Sequence, residues 1–315
     1  MKISVYEVGP RDGLQALKHH IPAQQKRDLI EALYAAGLED VEETSFVSPK
    51  AVPQMADAAD VFSGRGAVLV MNRRGFDDAR KAGAEKINIV MSTCEEFNRR
   101  NMRKTHSELV HSYFSFLNGY PRDKVRVYIS MAFGSPFSSV PSEKNMEMVV
   151  RDARMFGHTV VFSDTVGAAH PADVQPLADV AKRYDLKPAL HLHHKGKLER
   201  PFSVIRAGIF AGISEFDSSI GGLGGCPFVE NSGANIPTER LVTQLNAWGA
   251  DTGLSPQSLG PAIKIAHAIR RSGADHDGVI RRSVDREGLA PLVQGEMGRR
   301  KPKRQGWETP ALWPF

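Results

Sequence analysis

The 315-residue sequence has only two cysteines, Cys94 and Cys226. Two thiols cannot build the disulfide framework on which small secreted domains depend, and they suit a reducing compartment. No apolar run approaches the roughly 20 residues that a membrane-spanning helix needs. Residues 1–6 have the pattern of a strand and leave no room for a signal or transit peptide. We therefore expect a cytoplasmic protein without a membrane span.

A large excess of charge of one sign is also missing from most of the chain. The net charge is +5, but residues 281–315 contain eight basic and four acidic side chains, so residues 1–280 carry only about +1. A basic tail raises the hypothesis of a nucleic-acid-binding protein. Aromatic side chains are not interleaved with these charges before Trp307, which disfavours it. We predict that residues 274–315 pack on the rest of the chain or on a neighbouring subunit of a homo-oligomer, a dimer or larger.

The sequence lacks an internal repeat of about 20 to 50 residues, which argues against a solenoid. Instead, short β-branched runs alternate with segments of helical spacing. The predicted strands are 2–8, 38–43, 67–71, 86–91, 125–132, 159–163, 188–193 and 214–219. The predicted helices are 21–36, 53–62, 76–82, 107–117, 142–156, 171–184, 201–211 and 237–248, and a further one is predicted at 255–273.

About eight strand–helix units are typical of a closed parallel barrel, so the fold class is α/β, a TIM (β/α)8 barrel with additional C-terminal helical elements. We expect residues 1–273 to form this catalytic barrel with its added helix. A doubly wound sheet would have fewer strands and a glycine-rich phosphate turn after the first one. The turn at 9–13, GPRDG, has no such fingerprint.

Polar residues cluster where the predicted strands end, and in a TIM barrel these ends form the active site. The polar residues at or after strand ends are Glu7, Arg11, Asp12, Glu42, Glu43, Thr44, Ser45, Asp164, His191, His193, His194, Asp217, Ser218 and Asn235. The Arg11–Asp12 pair has a second interpretation as an ordinary turn ion pair, and Asp164 has one as a helix cap.

His191 and His193 form the sharpest pattern. Residues two apart on a strand point to the same face, so both rings can reach one ion. Imidazole with carboxylate or amide oxygen is a borderline ligand set that holds divalent metals, and Asp12 and Asn235 could supply the oxygens. The alternative is that the two rings are hydrogen-bonded interior residues, and spacing alone leaves both interpretations open.

Four glycines among residues 221–225 precede Cys226. Such a loop is mobile, and a cysteine on it is exposed. One hypothesis is a lid that brings the thiol over a substrate when it closes. The alternative is a flexible connection with an incidental thiol.

Taken together, these segments resemble the hydroxymethylglutaryl-CoA lyase family, metal-dependent lyases built on barrels. The similarity spans roughly residues 3–270. The matching motifs are Glu7-Val8-Gly9-Pro10-Arg11-Asp12-Gly13-Leu14-Gln15, Glu42 with residues 44–50 and 52–55, residues 163–167, His191-Leu192-His193, residues 217–227, Asn235 and Thr238-Glu239.

The resemblance implies a role for each matching residue. The implied ligands of Mg²⁺ or Mn²⁺ are Asp12, His191, His193 and Asn235. Arg11 matches the arginine that stabilises the enolate, and Cys226 matches the loop thiol that takes part in proton transfer. Further implied active-site groups are Glu42, Asp164, Glu239 and the substrate-binding Gln15, and His191 or Asp12 is the implied base.

The implied reaction is the cleavage of 3-hydroxy-3-methylglutaryl-CoA to acetyl-CoA and acetoacetate. One alternative is the same mechanism on a different branched or carboxylated 3-hydroxy-acyl-CoA. Another is a synthase that condenses an acyl-CoA with a 2-oxo acid, which the cysteine loop disfavours because that loop belongs to the lyase branch.

The chain departs from the family pattern after His193. Lys195, Lys197 and Arg200 stand where the family has an aspartate and a short polar run, and Ala234 and Arg240 also differ from the usual residues. These changes leave the implied metal ligands intact. We expect Lys195, Lys197 and Arg200, called here the basic loop, to bind an extra substrate carboxylate or the CoA phosphates. The alternative is a solvated loop.

Overall fold

The computed structural model describes residues 1–137, 141–224 and 233–272. Within these ranges eight parallel strands close into a barrel, in which each strand pairs with the next and the last pairs with the first. The strands are β1 (Ser4–Glu7), β2 (Asp40–Phe46), β3 (Ala67–Val70), β4 (Lys86–Ser92), β5 (Val125–Ser130), β6 (Thr159–Asp164), β7 (Lys187–His194) and β8 (Glu215–Ser218). The predicted TIM barrel is confirmed.

Helices connect the strands and surround the barrel. They are α1 (Ala23–Ala35), α2 (Ala58–Val61), α3 (Arg73–Lys81), α4 (Glu95–Met102), α5 (His106–Leu117), α6 (Glu143–Ala153), α7 (Val174–Arg183), α8 (Glu199–Phe210) and α9 (Thr238–Ala247). Residues 260–272 are also helical, within the segment predicted at 255–273. None of the helices in the described ranges is long and apolar enough to cross a membrane.

Two elements near the mouth of the barrel were not predicted. Helix α4 was missed because it is short and mostly polar, although acidic residues open it and basic residues close it. Strand β9 (Ala234–Asn235) pairs antiparallel with β7. A two-residue strand has no hydrophobic period to detect. Both elements contribute to the site described below.

The barrel has an apolar outer layer and a partly charged interior. On β4, Ile87, Ile89 and Met91 belong to the main core cluster beneath the helices. Between them, Val90 packs in a small interior cluster and Asn88 makes hydrogen bonds inside the barrel. This alternation follows from the period of two along a strand. It leaves the interior with buried polar groups that open toward the carboxyl ends of the strands.

Candidate active site

The residues after β1 form a single turn of π-helix, Gly9–Gly13. The carbonyl oxygen of Val8 accepts the N–H groups of Arg11, Asp12 and Gly13 at 3.2, 2.7 and 3.2 Å. Such turns often occur at functional sites. Here the turn holds two adjacent charged side chains, Arg11 and Asp12, over the mouth of the barrel.

Asp12, His191 and His193 form the cluster of groups best suited to a metal ion, called here the metal cluster. One ligand atom from each residue lies within 4.8 Å of the others. The Nε2 atoms of the two histidines lie 3.2 Å apart. The Nδ1 atom of His191 contacts Asp217 Oδ2 at 3.1 Å, and that of His193 contacts the Thr165 carbonyl oxygen at 3.1 Å.

These outer contacts favour the tautomer that carries its proton on Nδ1, which leaves both Nε2 lone pairs turned toward Asp12. Two nitrogens and a carboxylate oxygen that converge in this way fit a divalent cation. Burial lowers the pKa of His191, but the hydrogen bond and charge of Asp217 outweigh it, and the net pKa is raised.

Asn235 is brought to the metal cluster by strand pairing. In the register of β9 with β7 it lies opposite His193. Its Nδ2 group donates to Asp12 Oδ2 at 2.8 Å and to the Leu223 carbonyl oxygen at 3.0 Å. The fourth predicted ligand thus contacts the cluster, with its amide nitrogen rather than its oxygen facing Asp12.

Arg11 is 6% exposed and lies between two carboxylates. Its Nε donates to Glu42 Oε2, and its Nη1 donates to Asp12 Oδ1 at 2.8 Å. Burial lowers the pKa of Arg11, but these carboxylates outweigh it and raise the pKa. The Asp12 pKa is lowered, because Arg11 and the two histidines outweigh its burial. The guanidinium is therefore a permanent, oriented charge beside the metal cluster.

Glu42 is fully buried and holds Arg11 in place. Its second oxygen accepts from Asn88 Nδ2 at 2.7 Å, and Asn88 also donates to the Tyr6 hydroxyl at 2.9 Å. Burial raises the pKa of Glu42 despite the opposing effect of Arg11. Because Glu42 faces Arg11 and Asn88, it acts in the structure as a positioning group.

A second buried arginine was missed by the sequence analysis. Arg126 on β5 forms salt bridges with Glu215 and Asp217 of β8 across the barrel and lies 4.0 Å from the Tyr6 ring centroid. Asp217 in turn holds His191. The available signal was the apolar strand VRVYIS, where Arg126 and Tyr128 share one face. Buried charge on a strand marks a polar barrel interior.

A cavity of about 490 Å³ opens beside the metal cluster. Arg11, Asp12 and Gln15 are among the residues that line it, and Gln15 Nε2 donates to Asp12 Oδ1 at 2.8 Å. The apolar part of its wall comprises Val47, Ala51, Val52, Leu69, Met71, Val90, Phe97 and Met102. The size and the mixture of apolar walls with a few charged groups are typical of a small-molecule site.

Other predicted site residues lie at the edge of this arrangement. Both oxygens of Asp164 accept backbone N–H groups, from Ala168 and Ala169, each at 2.8 Å. Burial raises the Asp164 pKa, while these bonds oppose the shift. Glu239 Oε2 accepts the N–H of Gly221 at 3.0 Å at the base of the glycine-rich loop.

The basic loop is exposed and does not line the cavity. Among the described residues, the side chains of the basic loop make one hydrogen bond, from Arg200 Nη1 to the Gly167 carbonyl oxygen at 3.4 Å. Cys226 and residues 274–315 lie outside the described residues. Gly224, the last described residue before Cys226, approaches the backbone of Asp12 closely.

Comparison with known proteins matches residues 2–265 to the HMGL-like family. The chain belongs to this family. The mitochondrial hydroxymethylglutaryl-CoA lyase of Mus musculus is 33% identical over 268 residues, 82% of each chain. The 3-hydroxy-3-isohexenylglutaryl-CoA/hydroxymethylglutaryl-CoA lyase of Pseudomonas aeruginosa is 32% identical, with 82% of this chain and 89% of that one covered.

A solved structure extends the similarity to three dimensions. The HMG-CoA lyase of Acinetobacter baumannii, in complex with coenzyme A and 3-methylmalate, superposes with a TM-score of 0.79 at 29% identity. The match covers 87% of this chain and 92% of that one. The resemblance inferred from the sequence motifs is therefore confirmed at the level of family and fold.

Proposed function

We propose that this HMGL-like enzyme is a divalent-metal-dependent carbon–carbon lyase that cleaves 3-hydroxy-3-methylglutaryl-CoA to acetyl-CoA and acetoacetate. The observation that carries the proposal is that Arg11 and the metal cluster line the same cavity, much of whose wall is apolar. A branched acyl thioester with a terminal carboxylate matches this combination of cation, metal ligands and apolar surface.

Asp12, His191 and His193 would hold the ion, with Asn235 beside them, and Mg²⁺ or Mn²⁺ is the proposed metal. When bound, the ion would lower the pKa of the substrate hydroxyl. Asp217 and the Thr165 carbonyl keep the histidine tautomers in the ligand form.

The remaining residues account for the movement of electrons and protons. Asp12 accepts the proton of the tertiary hydroxyl, because His191 holds a proton on Nδ1 toward Asp217 and its Nε2 would bind the ion. The hydroxyl carbon becomes the ketone of acetoacetate. The carbon–carbon bond breaks, and its electron pair moves to the thioester as an enolate, whose oxygen Arg11 stabilises. The Cys226 thiol then protonates the enolate carbon to give acetyl-CoA, and closure of residues 221–227 excludes water.

A different branched or carboxylated 3-hydroxy-acyl-CoA is the second candidate substrate. Two relatives favour it, one named for an isohexenylglutaryl thioester and one bound to 3-methylmalate. The same mechanism applies to such substrates, because only the group beyond the hydroxyl-bearing carbon changes. We regard a condensing synthase and a nucleic-acid-binding protein as less fitting proposals.

Several sequence predictions stay proposals. We infer substrate contacts for Gln15 and supporting roles for Glu42, Asp164 and Glu239. Residues 274–315 are proposed to pack on the barrel or on a neighbouring subunit of a homo-oligomer. A cytoplasmic location is proposed from the cysteine usage.

The proposal is tested by following CoA-thioester products from a panel of 3-hydroxy-acyl-CoA substrates with added Mg²⁺ or Mn²⁺. We expect the wild-type protein to cleave the substrate. A chelator should abolish this activity, and the His193→Ala variant should lack it. His194→Ala is the matched control, because the neighbouring ring is half-buried and lies outside the metal cluster. Full activity after chelation, or in His193→Ala, would contradict the metal-dependent mechanism.

A further inference from the structure

The cavity is also lined by three cations, Lys50, Arg103 and Lys104. They lie in the connections that follow β2 and β4, whereas the two histidines of the metal cluster lie on β7. We propose that these three residues, called here the phosphate rim, bind the phosphate groups of the coenzyme A part of the substrate. The inference rests on the proposed function insofar as the substrate is a CoA thioester. It assigns the anion site to different residues from those of the basic loop.

Barrel topology brings the phosphate rim together. Lys50 follows the end of β2, and Arg103 and Lys104 follow α4 in the connection after β4. Strand β3 pairs with both β2 and β4, so these loops are neighbours at the mouth. Asn72, which follows β3, lines the cavity between them. Residues distant in sequence therefore share one side of the barrel entrance.

Local structure holds the backbone of the rim in place. Arg103 caps α4 in the left-handed region at φ 55°, which turns the chain sharply toward α5. The next helix begins with a capping box formed by Thr105 and Glu108. On the other side, the N–H groups of Ala51 and Val52 bond the Ser48 carbonyl oxygen at 2.9 and 3.0 Å. Two compact turns thus present the cations at defined places.

The charges of the rim are available to a ligand. Among the described residues, the neighbouring Arg99 and Arg100 form salt bridges along α4, whereas no such pair includes a rim residue. Among the described residues that line the cavity, Asp12 is the one acidic residue, and it belongs to the metal cluster. Unneutralised cations at a cavity entrance attract anions, and a guanidinium matches phosphate geometry in particular.

The direction of the cavity agrees with the order of groups in an acyl-CoA. Arg11 forms a salt bridge with Glu42, which lies on β2. Its guanidinium therefore lies on the β2 side of the metal cluster. If the thioester carbonyl of the substrate lies at Arg11, the uncharged pantetheine chain would run along the apolar wall that includes Leu69 and Phe97. The phosphate groups of coenzyme A, beyond the pantetheine chain, would then contact the phosphate rim. The basic loop follows β7 on the opposite side of the barrel and lines none of this path.

The test measures binding without turnover, so it stands whether or not the lyase reaction is the one proposed. Free CoA, dephospho-CoA and pantetheine are titrated calorimetrically into the full-length protein and a variant with glutamine at all three rim positions. We expect the variant to lose at least tenfold in CoA affinity, a smaller factor for dephospho-CoA, and nothing for pantetheine. The salt dependence of CoA binding should flatten, because fewer phosphate contacts remain.

Two further variants make the outcome decisive. Glutamine at Lys2, Lys81 and Arg154, three exposed cations at the opposite end of the barrel, should leave CoA affinity unchanged and excludes a general charge effect. Glutamine at all three positions of the basic loop tests the competing site. Undiminished CoA binding by the rim variant overturns the proposal, as does a larger loss in the basic-loop variant. A rim variant that weakens acyl-pantetheine but not CoA would assign the rim to an acyl carboxylate and also overturns it.

Discussion

Replacing Glu7 with glutamine should remove a pH dependence of stability that this one carboxyl group creates. Glu7 ends β1 and has no exposed surface. One oxygen accepts the N–H groups of Gly9 at 2.7 Å and Ile220 at 2.9 Å, and the other accepts the Thr238 hydroxyl. Burial raises the pKa of Glu7 from 4.5 to about 7, against the opposing effect of these three hydrogen bonds.

A raised pKa in the native state means that the folded protein binds the proton more tightly than the unfolded chain. The contribution of Glu7 to the free energy of unfolding is therefore fully present at a pH below the pKa of Glu7 in the unfolded chain. This contribution is lost as the pH rises through about 7, the pKa in the folded protein. The loss between about pH 4 and about pH 8 is roughly 3 kcal/mol, from about 1.4 kcal/mol for each pKa unit. This is a large part of the stability of a typical domain.

Glutamine is a suitable replacement because it can keep the same hydrogen bonds without a charge. Its oxygen can accept both N–H groups, and its amide can donate to the Thr238 hydroxyl. In the variant the hydroxyl can turn its proton from residue 7 to Ser218 Oγ, which lies 2.9 Å away. Glu7→Gln should therefore fold with the same contacts as the protonated wild-type protein.

The assay is urea unfolding of both proteins at closely spaced pH values, without added metal so that ion binding makes no contribution. The difference in unfolding free energy isolates Glu7, because every other titrating group is shared. We expect similar stabilities at about pH 4 and a variant more stable by roughly 2 to 3 kcal/mol at about pH 8. A difference that stays constant with pH would refute the reasoning.

Three further predictions concern the metal cluster and the glycine-rich loop that contains Gly224 and Cys226. Asp217→Asn should lower metal affinity about 10- to 100-fold, because the carboxylate that sets the histidine tautomer is lost; unchanged affinity in a metal titration would contradict this. Gly224→Ala, at φ 99°, places a Cβ 2.9 Å from the Asp12 carbonyl oxygen and should weaken metal binding, whereas Gly249→Ala, at φ 77° with open space, should not. Cys226→Ala should retain the metal and lose most of kcat, and normal turnover would remove the thiol from the mechanism.

Local patterns were enough to predict the architecture. Each strand of the barrel produces its own apolar run and each helix its own period, so the observed β1–β8 overlap the predicted strands. The pairing of His191 with His193 was also a local property, because alternate residues on one strand point to one face. Asp12 joined them by inference, since strand ends meet at one end of a barrel.

The network behind these residues depended on the tertiary structure. Arg126 and Asp217 lie on strands that meet across the barrel, and neither position carries a local signal of the other. Asn235 reaches Asp12 because a two-residue strand pairs with β7. Contacts of this kind require knowledge of strand order and register, which the hydrophobic pattern does not contain.

Charge shows the division between sequence and tertiary structure most clearly. The sequence alone determined that the chain has several small groups of cations and a nearly neutral body. The sequence indicated the basic loop as an anion site, because its three charges lie within six residues. It gave no such indication for Lys50 and Arg103, which are far apart in the chain. Only the tertiary structure decides which cations border the cavity, because the strand order places the connections after β2 and β4 on either side of β3, and the basic loop is exposed to solvent.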